Sequence, residues 1–223
     1  MGTRILDFRF GLVDLEGVIF NPGILYRREF GRFLQQRYQI AAKDALRFYQ
    51  AHETLPLEAK FARLLAQHGH SPEGAAEVAT AFRMGVAATR PVVSEGAREL
   101  GETLVARGAR LFALCETESG VAARKLDEAE LHGLFEQVIG SERALGWGAQ
   151  IALCADAVGV PLEAFAAQSF VLASRPEDVT TAAEFGCYAV GIAHLFPETA
   201  LKAHGAREVY RHITHLALHL RHG

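Results

Sequence analysis

Short apolar runs closed by a polar residue alternate, over much of this chain, with longer stretches whose apolar positions recur every three or four residues. Arg9-Phe-Gly-Leu-Val13 is one such run, ends at Asp14, and reads as a buried strand with a carboxylate at its C-terminal end. Between about 24 and 88 no convincing strand occurs, and helical periodicity recurs at 25–38, 43–52, 57–68 and 73–88. Pro56 and Gly69-His70-Ser71-Pro72 separate these helices, with Ser71 and Pro72 expected as N-cap and first residue of the last one.

From Pro91 the rhythm is helix, strand, helix, strand. Helices are expected at 94–107, 120–129, 149–158 and 177–185, and strands at 110–115, 137–140, 169–173 and 188–192. Uniformly apolar short strands between helices imply a parallel sheet covered on both faces. Right-handed crossovers make it doubly wound, with ligands beyond the C-terminal ends of the strands. The expected fold is therefore α/β, with a core from 1–22 and 89–223 and a small helical insertion at 23–88. Three strand ends merit inspection: Asp14, Cys115-Glu116 and Ser174.

Composition narrows the function classes. A chain of 223 residues suits one α/β domain with a modest insertion. Half of its residues are hydrophobic and 22% charged, as in a folded globular protein. The net charge of −3, with Lys and Arg dispersed, argues against a nucleic-acid partner. Three cysteines, Cys115, Cys154 and Cys187, form no CxxC pair and suit reduced thiols. No uncharged run reaches the ~18 residues of a membrane helix, and the first residues show neither a signal-peptide core nor a myristoylation pattern. A cytoplasmic location and no membrane partner are the expectation.

Leu12-Val-Asp14-Leu-Glu16-Gly-Val-Ile19 places two carboxylates two residues apart just past a buried strand. The segment resembles the first motif of haloacid-dehalogenase-like (HAD) hydrolases, an apolar strand followed by D-x-D-G-T/V. The stretch 100–114 resembles the approach to the second motif, Leu131-His-Gly-Leu-Phe-Glu-Gln-Val-Ile-Gly-Ser141 the approach to the third, and Leu172-Ala-Ser174-Arg-Pro-Glu-Asp178 the fourth. The helical insertion stands where that family carries a cap. The resemblance spans nearly the whole chain and implies a Rossmann-like core with a helical cap.

It also implies a chemistry. Asp14 would be the nucleophile that attacks phosphorus and forms a phosphoenzyme, and Glu16, in place of the usual Asp, the general acid/base. Mg²⁺ would sit among Asp14, Glu16 and an Asp of the fourth motif, for which Asp178 is the remaining candidate. Cys115, Glu116, Ser174, Arg175 and Trp147 would line the substrate position.

The departures from the family pattern are extensive. Cys115 replaces a Ser or Thr, and a thiol is the weaker donor. Glu116 follows where a neutral Asn is usual. Leu145-Gly-Trp-Gly148 stands where the third motif supplies a Lys, and no Lys occurs between Lys125 and Lys202. Ala173-Ser174 replaces G-D. Each lost acid/base group costs roughly 10²–10⁴ in rate, and an added carboxylate ~4 Å from a phosphate costs roughly 4 kcal/mol per unit charge pair at an effective dielectric of ~20. Asp14, Glu16, Glu116 and Asp178 are thus expected to converge under-neutralised, with Arg143 or Arg175 as the candidate cation and Mg²⁺ doubtful. The S-x-x-x-D of Ser174 and Asp178 also resembles metal-independent haloacid dehalogenases, but the Lys of that branch is missing and its halide-binding Arg has only Arg27 or Arg28 to offer.

These readings favour weak or no phosphatase activity and a role in binding a small molecule or another protein through the cap–core cleft. The rival is an active Asp-nucleophile hydrolase of a small phosphorylated metabolite. Two weaker signals remain. His212, His215, His219 and His222 share a helical stripe at metal-ligand spacing, or form the wet side of a helix that docks Ile213, Leu216 and Leu220. Trp147, the only Trp, either stacks on a ligand or fills the position of the missing Lys.

Overall fold

The computed structural model describes residues 5–52, 55–87, 89–194 and 196–222. The chain forms two compact units, Met1–Asn21 with Val93–Gly223, and Pro22–Val92. In the first unit a short 3-10 turn at Ile5–Asp7 leads into β1 (Phe10–Asp14), all five residues of which are buried.

The second unit is helical: α1 (Pro22–Tyr38), α2 (Ala42–Ala51), α3 (Leu57–Gln67) and α4 (Ala75–Ala87). Its core is aromatic, with Phe30 against Phe61 at 4.9 Å between ring centroids and Phe33 edge-on to Phe82 at 5.5 Å. The expected start of the last helix needs correcting. Ser71 Oγ accepts the N–H of Glu73 and closes a turn, Gly74 follows with φ +78°, and the helix begins only at Ala75. Its expected last residue, Ala88, lies outside the described residues.

The first unit resumes with α5 (Ala97–Ala106), β2 (Arg110–Leu114), α6 (Ser119–Glu128), β3 (Gln137–Ile139), α7 (Trp147–Val158), α8 (Leu162–Ala167), β4 (Ser169–Ala173) and α9 (Pro176–Glu184). It ends with β5 (Tyr188–Ile192), α10 (Glu198–Ala203), β6 (Glu208–Tyr210) and α11 (Ile213–His222). Among the described residues six strands form one parallel sheet in the order β3-β2-β1-β4-β5-β6. The expected doubly wound α/β core is the observed one. Neither β6 nor α8 nor α10 is expected from periodicity, since three half-buried residues or six helical ones carry too little of it.

Alternation along β1 divides its side chains between two cores. Val13 packs with Leu100, Leu104, Leu111 and Leu172, while Phe10 and Leu12 pack with Phe112, Ile151 and Phe165. Strand order reverses between β1 and β4, so the loops leaving these neighbours diverge and open a crevice. Asp14 and Ser174 flank that switch point: Val13 pairs with Leu172, and Ser174 lies just past the end of β4. No helix of the described residues is long and apolar enough to cross a membrane.

Candidate functional site

Asp14 closes β1 with only 4% of its surface exposed. Ser174 Oγ donates to its Oδ2 at 3.0 Å, and the Glu16 N–H donates to its Oδ1 at 3.2 Å. Both carboxylate oxygens are therefore engaged from within the protein. Gly17 holds this arrangement tight. Its φ is +152°, and a Cβ there would overlap the Ser174 hydroxyl and stand 2.8 Å from Asp14 Oδ2, so only glycine fits. Burial first, and the charge of Asp178 second, push the Asp14 carboxyl up to about 7, against the opposing pull of the Ser174 hydrogen bond and of Arg175.

The four acids are only partly neutralised, by Arg175, one of the two expected candidates, and by Lys125, and the charge of Asp178 still helps to raise the Asp14 carboxyl. Arg175, at the N-cap of α9, forks onto Asp178 with Nε 2.8 Å from Oδ2 and Nη2 3.3 Å from Oδ1. The same Nη2 reaches Glu116 Oε1 at 2.6 Å. Lys125 Nζ donates to Glu16 Oε1 at 3.4 Å. Asp178 is buried, and that burial raises its pKa despite Arg175. Arg143, the other candidate cation, turns to Gln137 Oε1 and the Val138 carbonyl instead.

Sequence reasoning missed Lys125. It lies 109 residues from Glu16 along the chain, on the helix between the second and third strands, whereas the expected Lys belonged after the third. The signal for it is local. Lys125 follows buried Ala122 by three residues and precedes buried Leu126 by one, which puts it on the inner flank of α6.

Other anticipated residues are placed elsewhere. Cys115 is 1% exposed and turns its S–H to the carbonyls of Thr117 and Ile139, at 3.4 and 3.5 Å, with burial pushing the thiol up to about 11. Trp147 starts α7 inside the apolar cluster of Leu12, Leu114 and Ile139, so it is a core residue and not a stacking platform. Leu145, aligned with the missing Lys, is 85% exposed. Gln150 spans this region, donating to the carbonyls of Cys115 at 2.9 Å and Ala144 at 3.3 Å. On α11, Ile213, Leu216 and Leu220 are buried and His215 and His219 exposed. His212 meets His215 ring to ring and His219 meets Tyr210, while the side chain of His222 lies outside the described residues.

The donor set does not fit Mg²⁺. That ion takes hard oxygens in near-octahedral geometry, but here Asp14 faces two hydrogen-bond donors, Glu16 faces Lys125 and Asp178 faces Arg175. Ser174 offers a hydroxyl already spent on Asp14 where the family pattern has a carboxylate. Among the described residues no three His, Cys, Asp or Glu side chains are grouped to hold a metal.

No protein-family model matches the chain, and no curated protein does. Solved structures do. One is a putative beta-phosphoglucomutase from Thermotoga maritima, 17% identical with a TM-score of 0.71 over 96% of this chain and 99% of that one. A HAD family hydrolase from Deinococcus radiodurans R1, solved with bound phosphate and sodium, is 20% identical with a TM-score of 0.70 over 97% and 96%. A haloacid dehalogenase-like hydrolase from Streptococcus pneumoniae is 17% identical with a TM-score of 0.70 over 96% and 98%. At such identities the likeness shows the fold, and the chain has the haloacid-dehalogenase-like fold.

Proposed function

We propose that this chain is a HAD-fold protein whose strand-end site binds a ligand, a small molecule or another protein, and has weak or no phosphatase activity. One observation carries the reading: the Ser174 hydroxyl and the Glu16 amide hold the two carboxylate oxygens of Asp14. Each Asp14 oxygen keeps a second lone pair, but these donors draw charge from the oxygens that would attack phosphorus, and burial favours the protonated, non-nucleophilic carboxyl. The loop between β3 and α7 brings no cation to Asp14: Leu145 is exposed, and Arg143 bonds Gln137 and the Val138 carbonyl instead. Three free, buried cysteines are in keeping with a reducing, cytoplasmic setting.

Steady-state hydrolysis of an aryl phosphate by the full chain with Mg²⁺ tests the proposal. Background turnover is expected. A rate above ~1 s⁻¹, within the usual enzyme range, that vanishes in Asp14→Asn would overturn it.

A second reading, an active hydrolase with an unorthodox cation, has one observation in its favour. Lys125, 16% exposed and paired with Glu16, brings an ammonium to the site from an unexpected helix. On that reading the same assay shows turnover in the wild type that Lys125→Met removes.

A further inference from the structure

Arg175 holds two partners of different kinds. The Asp178 side chain is 5% exposed and takes the guanidinium on two atoms, so removing that pair would strand a buried charge. The Glu116 side chain is 65% exposed and meets only Nη2. A pair so open to water exchanges its partner at little cost. Glu116 stands directly after Cys115, on the loop that leaves β2 at the strand ends. Beside it the Thr117 hydroxyl oxygen is buried with no hydrogen-bond partner, and so is Oε1 of Gln150, whose amide nitrogen holds the Cys115 carbonyl. Buried polar atoms are nearly always satisfied, so this loop closes with unmet polar demand next to its one exchangeable ion pair.

The geometry points to Glu116 as a built-in stand-in for a ligand carboxylate. Arg175 is the anchor, its occupant is a small molecule bearing one carboxylate, and Glu116 swings out when that occupant binds. This rests on the reading of the strand-end site as a binding site. With the Nε–Nη2 edge kept on Asp178, a ligand carboxylate takes the Nη2 contact that Glu116 now holds and replaces Glu116 without changing the charge count. A phosphate dianion would instead add charge beside Asp178 and beside Glu177, whose Oε1 is already 3.7 Å from Arg175 Nε. Lys125 does not offset it, being held by Glu16.

Acetate and inorganic phosphate, each titrated into the full chain at fixed ionic strength, test the inference through the backbone amide resonances of Ser174 and Asp178. Glu116→Gln should bind acetate at least tenfold more tightly than the wild type, about 1.4 kcal/mol. Adding Arg175→Lys, which keeps a cation beside Asp178 but loses the Nη2 donor that meets the second carboxylate, should remove the gain. Equal acetate affinity in wild type and Glu116→Gln, or a gain that survives Arg175→Lys, overturns the clamp. Phosphate binding more tightly than acetate overturns the ligand class. Phosphatase turnover by the wild type would sink the non-hydrolytic reading through a separate readout and leave these comparisons interpretable.

Discussion

Ser174 donates its hydroxyl proton to Oδ2 of Asp14 at 3.0 Å, across the point where the strand order of the sheet reverses. The contact joins residues 160 apart in the chain and gives a buried acid one of its two donors. It only partly offsets the cost of burying the charge, since the Asp14 pKa still rises from 3.8 to about 7.

A pH dependence follows from that rise. Between the two values the folded chain keeps a proton that the unfolded chain has released, so the contribution of Asp14 to stability is lost as pH rises through that window. At 1.36 kcal/mol per pH unit the ceiling is about 4 kcal/mol, and Asn sacrifices one of the two hydrogen bonds, about 1 kcal/mol. Asp14→Asn is therefore expected to be about 1–3 kcal/mol more stable than wild type at pH 8, melting several degrees higher. The advantage should vanish or reverse near pH 4. Thermal melts of both proteins across this range check it, and a mutant that melts lower at pH 8 would contradict it.

Arg175 is expected to matter for stability far more than its exposed partner. Arg175→Met leaves Asp178 buried and unpaired, at a cost of about 3–5 kcal/mol, whereas Glu116→Gln removes an exposed pair worth about 0–1 kcal/mol. Urea denaturation of the two variants checks the contrast. Equal losses would mean that Asp178 is not held by Arg175 alone.

The legible and illegible parts of the site divide along a physical line. Asp14, Cys115 and Ser174 were found as strand ends because each closes an apolar run, and such runs depend on neighbours in sequence. The pairing of Lys125 with Glu16 and the hold of Arg175 on Glu116 depend on side chains converging from separate loops, which periodicity does not encode. The acids of the cluster are visible in the sequence, and which cations meet them, Arg175 and Lys125, is not. Trp147 was undecided because an aromatic residue at a helix start serves a core or a ligand equally well, and its burial among Leu12, Leu114 and Ile139 decides it.

Gly17 gives the close approach a direct test. Gly17→Ala drives a Cβ into the Ser174 hydroxyl at a backbone angle that disfavours side chains. A loss of about 2 kcal/mol or more is expected, and Ser174→Gly in the same chain should recover part of it. Equilibrium unfolding of the single and double variants measures this coupling.

Trp147 and Leu145 are two residues apart and should respond in opposite ways. Trp147→Ala should cost about 3–5 kcal/mol as a core truncation, and Leu145→Ala, at 85% exposure, should stay within about 0.5 kcal/mol. A mild Trp147→Ala would place that ring outside the core.

The state of Asp14 bears most directly on the non-hydrolytic reading. Incubation of the full chain with acetyl phosphate and Mg²⁺, an acid quench and intact-mass spectrometry would reveal a phosphoenzyme. The expected spectrum of the wild type shows the unmodified mass alone, as in Asp14→Asn. A phosphoryl adduct mapping to the peptide that contains Asp14, and absent from Asp14→Asn, would contradict the account.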